Sequence, residues 1–221
     1  MIEILLFTSI TNIMIYSYGH LIIFQSPTDG LNAYFQKFFV GAIMLSFIAL
    51  FMNFFLPLDR LFNSIILLSG VFILILKKKI KFEKVEICFL IIVSLLASLL
   101  ILYSNVNRPD AGLYHLPYVS ILNENKIIIG LSNLHFRFGH VSIIQYLSAI
   151  NNNFILGENG IVIPLASIVS AFFVFFFNNV FEIFRKKEID TTKIFSLFII
   201  VFISYKINRY SSFGYIKLCS F

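Results

Sequence analysis

Six apolar runs, each almost free of charge, constrain this chain more than any other feature. They cover about Ile2–Phe24, Phe38–Leu56, Leu61–Leu76, Val85–Tyr103, Gly160–Phe184 and Ile194–Ile207. A helix needs roughly 20 apolar residues to cross the hydrocarbon core of a bilayer; the third and sixth runs are short by that measure. In lipid a backbone must close its hydrogen bonds internally, and these runs lack the alternation of barrel strands, so helices are expected. Composition argues the same way. Of 221 residues, 59% are hydrophobic and 13% charged, more apolar side chain than a soluble domain can hide. The expected fold is all-α: a polytopic transmembrane helix bundle of about six spans with a long outer loop of short amphipathic helices. Residues 1–221 form one integral membrane domain in this reading.

Two basic segments set the expected orientation. "KKKIKFEK" (Lys77 to Lys84) joins runs three and four, and "RKKEIDTTK" (Arg185 to Lys193) joins runs five and six. Lys and Arg favour cytoplasmic loops, and an even number of runs separates the two segments, so they agree. The net charge of +6 belongs to these loops and not to nucleic-acid binding. Glu3 stands where a signal peptide would carry a basic residue, so the first run is expected to be a span. Cys88 and Cys219 show neither disulfide nor metal-site spacing. Abundant Phe, Ile, Lys and Asn without Trp suggest an AT-rich genome. Position therefore carries more weight than abundance.

Between runs four and five lies a connection of about fifty residues (104–153), far more than two helices need. It is too aromatic for a disordered segment, and it holds His115, His135 and His140 of the chain's four histidines. Pro109 and Asp110 open a stretch, "AGLYHLPYVSIL", with helical spacing that Pro117 kinks or splits. "HVSIIQYLSAI" has the same spacing. Short helices lying on the membrane face and roofing a cavity are expected.

The polar residues of this loop have competing readings. Asp110 is either a helix N-cap or a carboxylate that takes a proton from a hydroxyl or holds a divalent metal. His115 is either an interfacial hydrogen-bonding residue or a ligand on the same short helix. His135, Arg137 and His140 alternate as in phosphate recognition, with Arg137 offering a planar fork of donors, or they contact lipid phosphates at the interface. The spans themselves carry no central ionisable residue, which argues against a proton-coupled transporter.

The segments "DAGLYHLPYVSIL" and "IIIGLSNLHFRFGHVSIIQYLSA" resemble a family of large bacterial polytopic membrane proteins. Asp110, Gly112, Tyr114, His115, Gly130, Asn133, His135 and Arg137 carry the likeness, over about a fifth of the chain. That family in turn looks like the GT-C type glycosyltransferases, which move a sugar from a polyprenyl-phosphate carrier to an acceptor outside the membrane. Their outer loop often carries Asp-Glu-x-x-Tyr; here "DAGLY" keeps Asp110 and Tyr114 but has Ala111 for the second acid. The resemblance implies Asp110 as the catalytic carboxylate, with Tyr114, His115, Asn133, His135, Arg137 and His140 binding substrate. It implies a multi-pass protein of the bacterial inner membrane, acting on cell-surface glycans. The partners are the bilayer, a polyprenyl-phosphate sugar and a glycan acceptor, and a divalent cation is the one cofactor in view. Relatives of this kind are longer, so this chain is expected to be the N-terminal part of such a protein. The alternative class is a non-catalytic membrane component, such as a polysaccharide polymerase or export partner, or an inactive remnant.

Overall fold

The computed structural model describes residues 2–23, 30–76, 84–103, 111–139, 142–186 and 190–203, and among them it is helical with no strand. The helices are α1 (Ile2–Ile22), α2 (Gly30–Asn53), α3 (Arg60–Leu76), α4 (Lys84–Tyr103), α5 (Leu116–Glu124), α6 (Ile143–Asn151), α7 (Ile163–Lys186) and α8 (Thr191–Ile203). The all-α expectation holds. By length and composition, α2 and the segment Glu158–Arg185 are long and apolar enough to cross a membrane. The 17 residues of α3 span only about 25 Å at 1.5 Å per residue.

The second helix begins at Gly30 rather than Phe38, because tertiary packing recruits a segment that hydropathy breaks at Gln36 and Lys37. Tyr34 and Lys37 are buried against α1, where the Tyr16 and Tyr34 rings stack at 5.3 Å and the Lys37 ammonium lies 6.0 Å from the Tyr16 ring centre. The two helices meet backbone to backbone. A Cβ on Gly19 would stand 1.7 Å from the Lys37 carbonyl oxygen, and one on Gly41 would stand 1.9 Å from that of Ile15. Small residues at a crossing permit such closeness between helices.

α1 is the hub of its unit, packing on α2, α3 and α4. Its buried face joins Met14 and Ile15 with polar but uncharged Thr8, Thr11, Asn12 and Ser17. The Asn12 amide donates to Ser94 Oγ on α4 and Ser170 Oγ on α7, each at 3.1 Å, and Thr11 donates to Asn151 Oδ1 on α6 at 2.9 Å. Where water is scarce, such paired groups hold helices together because an unpaired one is costly.

The chain divides into two compact units, residues 1–171 and 172–221. In the second, Asn179 donates to Ser196 Oγ at 3.1 Å, and Lys193 pairs with Glu182 at 3.6 Å. These contacts tie α8 back to the C-terminal half of α7.

Candidate functional site

The long connection is folded. A π-helical turn, Ala111–His115, runs straight into α5, so Pro117 falls in the first turn of that α-helix and breaks nothing; the first turn tolerates proline because its N–H groups lack helical partners in any case. Gly130 adopts φ +84°, a left-handed turn that only glycine takes without strain, and the turn is closed by the Asn133 N–H on the Gly130 carbonyl at 2.9 Å. Two 3₁₀ turns, Leu131–Asn133 and Phe136–Gly139, lead towards α6. At the start of α6 the Gln145 side chain reaches back to accept the Ser142 N–H at 3.0 Å. This is the glutamine half of a capping box.

α5 and α6 have the expected helical form, but α6 does not lie flat on a surface. Gln145, Tyr146, Leu147, Ala149, Ile150 and Asn151 are buried, and the helix packs against α2, α3 and α5. Asparagines hold it there. Asn63 of α3 donates to the carbonyls of Leu58 (2.8 Å), Ala149 (2.9 Å) and Asn152 (2.8 Å). Asn123 of α5 donates to Leu58 (2.7 Å) and Ala149 (3.0 Å), and accepts from Asn152 at 2.9 Å. Asn53, at the end of α2, donates to the Leu122 and Asn125 carbonyls at 3.3 and 3.0 Å. Sequence reasoning passed over these residues. Their signal was asparagine at the junctions of apolar and polar segments, hidden in a composition rich in Asn throughout.

On this frame the two halves of the loop's polar pattern come together. The Arg137 guanidinium lies 4.7 Å from the centre of the Tyr114 ring, a cation–π contact that fixes the fork of donors. Tyr114 in turn touches His115, ring centres 4.2 Å apart. His115 Nδ1 lies 3.1 Å from Gln145 Nε2. Because the Gln145 oxygen already accepts from Ser142, the amide nitrogen is the donor, and neutral His115 carries its proton on Nε2. The same logic applies to His135, whose Nδ1 accepts the Arg137 backbone N–H at 3.3 Å. Both imidazoles therefore have Nδ1 occupied and Nε2–H left to donate. His135 and His115 are exposed; Tyr114 and Arg137 are half-buried.

Not every candidate joins this cluster. Asn133 serves the turn: its amide nitrogen lies 3.3 Å from where a Cβ on Gly130 would stand. Asp110 and His140 lie outside the described residues. Beside the cluster is a cavity of about 520 Å³ lined mainly by apolar groups, among them Leu50, Tyr118, Ile127, Leu131, Phe138 and Ile143, with Lys126 and Ser132 as polar members. Phe138 is the shared wall, its ring 5.6 Å from that of His135 and 6.0 Å from that of Tyr118. Tyr118 and Tyr146 also line the cavity and are hydrogen-bonded to each other; burial first, then donation to Tyr146, pushes the Tyr118 hydroxyl well above the ordinary phenol range.

A divalent cation fits these described residues poorly. Each histidine has spent its Nδ1 lone pair on an N–H donor, the Arg137 guanidinium lies over the neighbouring Tyr114 ring, and among the described residues no three His, Cys, Asp or Glu side chains gather. A cluster of donors around a fixed cation suits an anion. Fold and site thus define an all-helical protein with a folded polar loop that presents hydrogen-bond donors beside an apolar cavity. The chain belongs to the family described as a domain of unknown function (DUF8201), matched over residues 1–212. No curated protein and no solved structure matches it.

Proposed function

We propose that this chain is a GT-C-like membrane glycosyltransferase, or the N-terminal part of one, embedded in the bacterial inner membrane by about six spans. Its donor is a polyprenyl-phosphate sugar and its product a cell-surface glycan. The observation that carries this reading is the set of donors formed by Arg137 and the two Nε2–H groups of His115 and His135, beside a cavity apolar enough for a lipid chain. When the sugar leaves its carrier, negative charge develops on the departing phosphate. Fixed donors aimed at that charge are the main contribution a protein can supply in a water-poor site. Arg137 supplies the fork, Tyr114 holds it in place, and Asp110, just before Ala111 in the chain, takes the proton of the acceptor hydroxyl.

Transfer from a polyprenyl-phosphate sugar in proteoliposomes tests this. Asp110→Asn keeps size and capping ability but cannot accept a proton at neutral pH, so turnover should fall by about 10²-fold or more with thermal stability unchanged. Arg137→Lys keeps the charge and loses the fork; carrier binding should weaken while turnover persists. Normal turnover in Asp110→Asn would leave that residue a helix cap and remove the catalytic assignment.

A further inference from the structure

The turn after α5 exposes more apolar surface than a water-facing loop can sustain. Ile129 is 96% exposed, Leu134 79% and Phe136 67%, with Ile128 also exposed, all within nine residues. The segment is anchored at the end of α2: the Ile127 N–H donates to the Asn53 carbonyl at 2.9 Å, and the Asn53 amide donates to the Asn125 carbonyl at 3.0 Å. Phe51 in the last turn of α2 and Phe54 and Phe55 just after it are each exposed. Leu50 of α2 and Ile127 and Ile128 of the turn line one cavity, so the apolar face of the helix continues into the loop. Cationic and polar groups flank the apolar tip. Lys126 precedes it, the His135 ring stacks on Phe136 at 5.0 Å, and the Arg137 guanidinium lies 5.6 Å from the Phe136 ring. Apolar tips with basic neighbours that reach the headgroups are the pattern of a segment seated at a lipid interface.

We infer that residues 127–136 form a lip immersed in the adjacent leaflet of the bilayer, with Ile129 at its deepest point. The cavity behind the lip then opens among lipid chains rather than to water. This inference rests on the membrane reading of α2 and not on the transferase reading.

The chain contains no tryptophan, so one introduced residue reports alone. Two single variants of the full chain, Ile129→Trp and Phe47→Trp, are reconstituted into vesicles with and without acyl-brominated phosphatidylcholine, and titrated with aqueous iodide. Phe47 is an exposed residue of α2, 57% accessible, and serves as the membrane reference. The expected result is that both variants lose most of their emission to brominated lipid and little to iodide. Quenching of Phe47→Trp by lipid but of Ile129→Trp by iodide would place the turn in water and overturn the lip. So would shielding of Ile129→Trp from both quenchers, since another protein surface would then cover it. Iodide quenching of both variants would instead overturn the membrane reading beneath it.

Discussion

At the scale of the residue, the site depends on which nitrogen holds a proton and which oxygen accepts. Gln145 determines both for His115: its oxygen is committed to the Ser142 N–H and its nitrogen to Nδ1. Spacing singles out His135 and Arg137, and the structure sets Arg137 over the Tyr114 ring, but the part played by Gln145 was not legible. It sits thirty residues from His115 in sequence, and only the docking of α6 brings them together. The tyrosine pair offers a separate test. Burial raises both hydroxyls, and donation from Tyr118 raises its own further while moderating that of Tyr146. A folded-state value above the unfolded one means that the folded protein holds its protons longer. The pair's contribution is therefore complete below about pH 10, the free phenol value, and is lost as pH rises through the folded values. Thermal unfolding in detergent between neutral pH and about pH 11 should show a steep loss of stability near the top of that range. Tyr118→Phe should lower stability at neutral pH and flatten the alkaline loss; an unchanged alkaline slope would show that other groups govern it.

At the scale of the element, apolar runs predicted where helices lie but not how the loop helices pack. Hydropathy stopped the second run at Phe38 because Lys37 and Gln36 lowered it, whereas stacking on Tyr16 extends the helix to Gly30. Amphipathic spacing predicted α6 as a surface helix. Asparagines on α3 and α5 instead turn its carbonyls into acceptors and bury it. Period and polarity describe one segment at a time, so a contact between side chain and distant backbone leaves no trace in them. Asn63 is the test of this packing, since its one amide group serves three carbonyls. Asn63→Leu keeps the branched outline of the side chain and removes the donor. Asn123 still donates to the Leu58 and Ala149 carbonyls, so the Asn152 carbonyl is the acceptor left unpaired. That costs about 1–3 kcal/mol, and the variant should lose about as much in chemical denaturation of the solubilised protein. A loss within error of zero would mean that apolar packing alone seats α6.

At the scale of the whole molecule, the two basic loops predict that residues 104–153 face the outside and Lys77–Lys84 the cytoplasm. Cysteine replacement at Ser132 and at Lys79, each in a background with Cys88 and Cys219 replaced by serine, tests this in intact cells with a membrane-impermeant thiol reagent. Ser132→Cys should label and Lys79→Cys should not; the reverse pattern would invert the orientation and move the donor cluster to the other compartment. If the loop does face outward, the asparagine contacts have a bearing on biogenesis. Asn53 and Asn63, which emerge from the ribosome early, find their acceptors at Leu122, Asn125, Ala149 and Asn152, residues made some sixty to ninety positions later. Until the segment carrying them has been translated and moved across the membrane, the α2–α3 hairpin must wait with its asparagine amides only partly matched, Asn63 by the Leu58 carbonyl within the hairpin. Maturation of the first helices is thereby gated by translocation of a loop, and a nascent chain arrested before residue 152 would expose that unmet requirement to the cell's membrane-protein quality control.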